Sequence, residues 1–100
     1  MINVANYIAM ILEKKKWTRL KLCDEINKIE KQLGESRTNP QNITNYLNGN
    51  WAFRPKILVK WEKALGLKEG TLYKMVVPPS TKDGQEELKM TIEQIRKVKI

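Results

Sequence analysis

The sequence predicts an all-α fold, with a compact five-helix domain over residues 1–77, a linker at 78–82 and a C-terminal amphipathic helix or tail at 83–100. Two patterns support this prediction. Apolar residues recur at helical spacing along most of the chain, and no run alternates between apolar and polar residues for long enough to indicate a strand. With 100 residues, of which 41% are hydrophobic, the chain can enclose one small core.

The first two helices are predicted at about 3–15 and at 19–33. Their buried faces consist of apolar residues spaced three or four apart: Val4, Ile8, Ile11, Leu12, Leu22, Ile26, Ile29 and Leu33. Thr18 is a typical N-cap residue for the second helix. Gly34 is expected to end that helix, because glycine readily adopts the left-handed conformation that closes a helix.

Three shorter helices are expected in the middle of the chain. Asn39 caps the first of them and Pro40 occupies its first turn, so this third helix runs over about 40–48. A fourth helix is predicted at about 55–65, and a short fifth helix at about 69–76. Together with the first two helices, these complete the five-helix domain.

The tail is predicted to be helical again over about 83–98, where Asp83 and Glu86 have the spacing of a capping box. Its narrow apolar stripe consists of Leu88, Ile92 and Ile95. A helix this short is marginal alone in water, so the stripe must be buried on its own domain, on a second copy or on another protein. We expect the second copy, and therefore a homodimer formed through these three residues.

The formal net charge is +8, and residues 1–77 carry 14 basic and 7 acidic side chains, a net charge of +7. No acidic residue occurs between Glu35 and Glu62. Four cations lie in that window: Arg37, Arg54, Lys56 and Lys60. Such a field favours a polyanionic partner, either nucleic acid or an anionic membrane surface.

The residue types that are missing exclude several functions. The chain has no His, which excludes Ser-His and Cys-His catalysis and metal sites built on imidazole. Its single Cys excludes an internal disulfide and a multi-Cys metal cluster. We therefore expect no enzyme and no cofactor. Residues 1–12 are apolar but too short to span a bilayer, so we expect a cytoplasmic protein without membrane contact.

The third helix has one polar face without any charge. Ile43, Tyr46 and Leu47 share its apolar face, and the other positions lie opposite or on the flank: Gln41, Asn42, Thr44, Asn45 and Asn48. Asn and Gln can donate to and accept from adenine at once, and Thr can contact a thymine methyl group. We predict that these five residues read DNA bases. The competing interpretation makes the Asn residues turn and cap formers, which suits Asn48 better than Gln41, Asn42 or Asn45.

The DNA backbone is expected to contact residues at helix starts and in the basic window. Helix N-termini offer unpaired amides to phosphate, and nearby cations strengthen that contact. The predicted phosphate-binding residues are Thr18, Arg19, Arg37, Arg54 and Lys56. The alternative assigns the same residues to helix capping and solubility.

Residues 17–77 resemble the lambda-repressor/Cro-like helix-turn-helix family. The matching segments are Thr18–Ile26 (TRLKLCDEI), Asn42–Gly49 (NITNYLNG), Pro55 and Trp61–Leu72 (WEKALGLKEGTL). Cys23 matches the small residue of the first motif helix, and Ile43 matches the buried residue of the recognition helix. The resemblance implies a transcriptional repressor of phage or mobile-element type, acting as a homodimer on two half-sites, with Arg19 clamping the DNA backbone.

The sequence departs from that family between the two motif helices. Leu22 and Ile43 are 21 positions apart, roughly ten more than a tight helix-turn-helix connection allows. A different class of function also fits this departure. The longer 27–38 segment and the apolar stripe of the tail suit a helical protein-interaction module, such as an anti-repressor or an adaptor.

Overall fold

A computed structural model describes residues 3–99, and within that range it contains helices and no strand. The elements are α1 Val4–Lys15, α2 Arg19–Leu33, α3 Pro40–Leu47, α4 Pro55–Ala64, a 3-10 helix Tyr73–Met75 and α5 Lys82–Arg96. The predicted all-α class is confirmed. None of the helices between residues 3 and 99 combines the length and the apolar character that crossing a membrane requires.

Local capping explains why the predicted bounds of α2 and α3 agree with the structure. Thr18 Oγ1 accepts a hydrogen bond from the backbone N of Lys21 at 3.1 Å and so caps α2. Gly34 ends α2 with a φ of 71°, in the left-handed region that favours glycine. Asn39 Oδ1 accepts from the backbone N of Asn42 at 2.9 Å and caps α3. These signals are carried by single residues, so the sequence alone reveals them.

The predicted fifth helix at 69–76 is wrong, because this segment forms turns followed by the three-residue 3-10 helix. The side chain of Glu62, which is only 2% exposed, accepts hydrogen bonds from the backbone N–H groups of this segment. Its two carboxylate oxygens accept from the backbone N atoms of Gly70 and Leu72, both at 2.9 Å. Charge-assisted bonds of this kind replace the bonds that a continuous helix would make.

The core lies between α4 and the helices around it. α4 packs against α2, α5 and the 3-10 helix, while α3 packs against α1 and α2. Seven core side chains are completely buried: Ile8, Leu22, Ile26, Ile29, Ile43, Leu58 and Leu72. Ile8 in α1, Leu22, Ile26 and Ile29 in α2 and Ile43 in α3 belong to the apolar faces predicted from the sequence, and their burial confirms that these faces point to the core.

α5 packs along α4 and buries its apolar stripe on its own chain. Ile95 is 6% exposed, while Leu88 and Ile92 are half-buried against the core. Of the three places where the stripe could be buried, the structure shows the first: the tail packs on its own domain. The homodimer stays a prediction, and its expected contact surface, the stripe, is already covered.

The start of α5 differs slightly from the predicted capping box. Thr81 is the N-cap, and its Oγ1 accepts from the backbone N of Gly84 at 3.0 Å. α5 therefore begins at Lys82, one residue inside the predicted linker of 78–82. Asp83 lies in the first turn of α5 instead of at its N-cap, a position where a carboxylate interacts favourably with the helix dipole.

Polar contacts at the C-terminal end of α5 add to this packing. Arg96 forms two hydrogen bonds to the carboxylate of Glu69, at 2.8 and 2.9 Å. Beyond the helix, the backbone N of Lys99 donates to Gln32 Oε1 at 3.0 Å, and Gln32 Nε2 donates back to the carbonyl of Lys99 at 2.6 Å. These contacts join the tail to the end of α2 as well as to the segment after α4.

Candidate nucleic-acid interface

α3 is fixed to the molecule by its apolar face. Ile43 is completely buried, and the ring of Tyr46 lies within an aromatic cluster. Its centroid is 5.1 Å from that of Phe53, 5.2 Å from Trp51 and 5.5 Å from Trp61. Aromatic pairs at these separations stabilise packing beyond the area they bury. The rotation of α3 about its axis is therefore set by large side chains.

The opposite face of α3 carries the five predicted base-reading residues, which differ in exposure. Gln41 and Asn48 are exposed, while Asn42, Thr44 and Asn45 are half-buried. The predicted rotation of the helix, with Ile43 inward and the amides outward, agrees with this arrangement. We call the surface formed by these five residues the amide face.

Asn45 is the centre of a small amide cluster on this face. Its Oδ1 lies 3.4 Å from Gln41 Nε2 and 3.4 Å from Asn50 Nδ2. Both distances exceed the 2.7–3.2 Å of well-formed N–H···O bonds, so the carboxamide can turn toward another partner at little cost. Asn50 was not among the predicted site residues. Its position in the turn after α3, five residues beyond Asn45, is the only sequence signal that could have indicated it.

Arg19 is the predicted phosphate-binding residue that lies beside the amide face. One nitrogen of its exposed guanidinium is 3.5 Å from Asn48 Oδ1. The first turn of α2 and the end of α3 thus meet at this point. Thr18 is also exposed here, but its hydroxyl oxygen already accepts from the backbone N of Lys21 as the N-cap of α2.

Arg54 and Lys56 lie at the start of α4, where they face α5. Lys56 Nζ is 2.7 Å from Glu87 Oε1 on α5. The hydrogen bond from Lys56, together with the charges of Lys56 and Arg54, lowers the pKa of Glu87. Arg54 is exposed. The two predicted phosphate-binding cations at the start of α4 therefore lie near the carboxylate of Glu87. The sequence pattern did not indicate this neighbour.

Arg37 occupies a third location. It is exposed in the loop between α2 and α3, where it lines a surface cleft with Asp24, Asn27 and Lys28 of α2. The predicted phosphate-binding residues thus fall into three groups. Arg19 is the member of this set that hydrogen-bonds to a predicted base-reading residue within residues 3–99.

The loop between α2 and α3 is held by buried and half-buried polar side chains that sequence reasoning missed. The backbone N of Thr38 donates to Asn27 Oδ1 at 2.8 Å and to Glu30 Oε1 at 3.0 Å. Thr38 Oγ1 donates to Glu30 Oε2 at 2.8 Å. Cys23 also contributes, because its Sγ lies 3.3 Å from the carbonyl oxygen of Thr38. We call this set of contacts the Thr38 clamp.

Burial raises the pKa of the Cys23 thiol, and the negative charge of Asp24 adds to the effect. The protonated thiol is the form that can donate to the Thr38 carbonyl. A thiol in this state is a poor nucleophile. Cys23, which is 2% exposed, is thus a buried structural residue.

Lys60 supports the clamp from α4. It is 7% exposed, and its Nζ lies 3.3 Å from Glu30 Oε2 and 3.2 Å from Glu35 Oε1. Lys60 is one of the four cations between Glu35 and Glu62. Its positive charge is therefore neutralised by two glutamates and adds little to the positive surface expected there. Across residues 3–99, no buried side-chain nitrogen or oxygen is left without a hydrogen-bond partner.

The same range of residues contains no group of three His, Cys, Asp or Glu side chains close enough together to hold a metal ion. Comparisons with protein-family models, with curated proteins and with solved structures found no match to this chain. The lambda-repressor/Cro-like resemblance of residues 17–77 accordingly stays a prediction.

Proposed function

We propose that the protein is a sequence-specific double-stranded DNA-binding transcriptional regulator, with α3 in the major groove. The observation that carries this proposal is the amide face of α3. A helix anchored by Ile43 and Tyr46 presents Gln41, Asn45 and Asn48 on its other side, with no charged residue among them. The likeness to phage repressors adds the expectation that binding at a promoter represses transcription.

The chemistry of the amide face suits base edges. A carboxamide offers a donor and an acceptor side by side, which matches the N6 and N7 atoms of adenine in the major groove. An ordinary exposed helix favours Lys, Glu and Ala, because these residues stabilise helices and Asn does not. Asn42 and Asn45 therefore make α3 less stable than Lys, Glu or Ala would at the same positions. A role of their amides in contacting a partner would explain why Asn occupies these positions.

The net charge supports a polyanionic partner, and one cation lies beside the amide face. The net charge is +8, and no acidic residue lies between Glu35 and Glu62. Arg19 beside Asn48 puts a cation at the edge of the amide face, where a phosphate would lie if α3 entered a groove. Lys60 takes no part in this field, because two glutamates neutralise it inside the molecule.

The direct test is a selection of bound sequences from random duplex DNA, followed by affinity measurements on the enriched sequence. If the protein binds DNA specifically, the selected sequences should share an enriched motif. The affinity should also fall steeply with salt concentration, because the DNA releases counterions when the protein binds its phosphates. A palindromic motif would indicate the expected homodimer on two half-sites.

Variants then locate the reader. We expect Gln41→Ala and Asn45→Ala each to weaken specific binding by about 1–3 kcal/mol, the usual value of a bidentate base contact. Gln94→Ala, which removes the same side chain as Gln41→Ala from an exposed position on α5, is the matched control and should change nothing. Unchanged affinity and preference in both α3 variants would contradict the proposal. The absence of any DNA binding would favour the protein-interaction module instead.

A further inference from the structure

The Thr38 clamp acts on the residue immediately before the N-cap of α3. Thr38 directly precedes Asn39, whose side chain caps the helix. Both polar groups of Thr38 that can donate, the backbone N and the hydroxyl, point to Glu30. The Thr38 backbone N is shared with Asn27 Oδ1, whereas the Thr38 hydroxyl donates to Glu30. Glu30 is therefore the residue of α2 that binds both donors at the place where the chain enters α3.

We propose that Glu30 is a positioning residue that fixes the start and the orientation of α3. Glu30 is 5% exposed, and each of its carboxylate oxygens has an assigned partner. Oε1 accepts from the backbone N of Thr38, while Oε2 accepts from the Thr38 hydroxyl and from Lys60 Nζ. Three donors from different directions leave the carboxylate one orientation. The relevance of this arrangement to base reading rests on the proposed function of α3.

The length of the loop explains why such a residue is required. Between Leu33 and Pro40 the chain has six residues without helical structure, and a loop of this length does not by itself fix the angle between two helices. α3 has only 8 residues, and an isolated helix that short is unstable in water. A base-reading helix must nevertheless be held to within about 0.5 Å of its productive position. The clamp provides the constraint that a tight turn would otherwise impose.

Lys60 extends the constraint to α4. Its ammonium joins Glu30 on α2 to Glu35 in the loop, so that three parts of the chain meet at one buried charge. Lys60 Nζ lies 3.3 Å from Glu30 Oε2, the oxygen that also accepts from the Thr38 hydroxyl. A buried ion pair that loses one partner is strongly destabilised, so Lys60 helps to hold the Glu30 carboxylate in the clamp.

The structure offers a matched control for a purely structural role. Glu62 is also a buried carboxylate that accepts backbone N–H bonds from a loop, in this case from Gly70 and Leu72. That loop follows α4 and does not lead into α3. Glu30→Gln and Glu62→Gln make the same chemical change, in which one acceptor oxygen becomes an amide donor, so both should lower stability.

The experiment measures the ratio of affinities for the selected DNA sequence and for an unrelated duplex, at a temperature where circular dichroism shows each variant folded. We expect Glu30→Gln to lower this ratio about tenfold, which corresponds to roughly 1.4 kcal/mol, and Glu62→Gln to leave it unchanged. Thr38→Val, which keeps the shape but loses the hydroxyl, should also lower it, whereas Thr38→Ser should retain it. Equal losses in Glu30→Gln and Glu62→Gln, or in Thr38→Val and Thr38→Ser, would overturn the proposal.

A second measurement does not depend on DNA. In the isolated protein, Glu30→Gln should accelerate amide hydrogen exchange in α3 relative to α1, and Glu62→Gln should not. If the wild-type chain has no sequence preference for DNA, the proposed function fails. The hydrogen-exchange comparison still tests whether Glu30 positions α3. Equal exchange of α3 in the two glutamine variants would then refute the positioning role of Glu30.

Discussion

The guanidinium of Arg19 lies 3.5 Å from Asn48 Oδ1. This contact joins the first turn of α2 to the end of α3, although the two residues are 29 positions apart. At that length it is a weak bond between exposed groups, so it contributes little to folding. Its significance is geometric, because it places a cation at the edge of the amide face, where backbone contact and base contact would meet.

Arg19→Ala should therefore weaken binding to all duplex sequences about equally, because the lost contact is to phosphate and carries no base information. We expect the slope of log affinity against log salt to become shallower by about one unit. Arg19→Lys retains the charge and should retain most of the slope. A change in base preference without a change in slope would instead assign Arg19 to base reading.

Lys56 and Glu87 lead to a prediction with the opposite sign. Glu87→Gln removes the carboxylate that lies 2.7 Å from Lys56 Nζ, so the ammonium becomes available to phosphate. DNA affinity should rise, and the salt dependence should steepen by about one unit. Glu93→Gln changes the net charge by the same amount at another exposed position on α5 and is the control. An equal increase in both variants would mean that only the net charge matters and that Lys56 does not contact DNA.

Elements whose ends are set by neighbouring residues could be predicted from the sequence. Thr18 and Gly34 define α2 to the residue, because an N-cap hydroxyl and a left-handed glycine act within one turn of the helix. The rotation of α3 was predictable for a similar reason, since Ile43, Tyr46 and Leu47 differ sharply in polarity from the residues between them.

Long-range polar contacts account for what could not be predicted. The helix expected at 69–76 is replaced because Glu62, eight residues before Gly70, supplies the acceptors for that segment. The Thr38 clamp has the same origin. Glu30 is four residues after Ile26 and so lies at the edge of the apolar stripe of α2. A carboxylate at such a position signals that a buried partner must exist, but the sequence does not identify Thr38 or Lys60 as that partner.

The packing of α5 predicts the effect of Ile95→Ala. Ile95 is 6% exposed and contacts the core of its own chain, so its truncation should lower the free energy of unfolding by about 2–5 kcal/mol. The mass measured by sedimentation should not change. Met90→Ala removes a side chain of similar size from the same helix where it is 58% exposed, and should have little effect. A lower mass for Ile95→Ala would show that the stripe also takes part in a dimer.

Acid should destabilise the protein in part through Glu25. Hydrogen bonds from Lys28 at 2.8 Å and Lys21 at 2.9 Å lower the pKa of its carboxyl group, against the opposing effect of burial. Because the pKa is lower in the folded chain, the unfolded chain binds the proton more readily. The stabilisation is complete above about pH 4.3, the ordinary pKa of glutamic acid, and is lost as the pH falls through the lowered value. Urea unfolding as a function of pH should show a smaller loss below this point for Glu25→Gln than for the wild type, and parallel curves would rule out a contribution from these ion pairs.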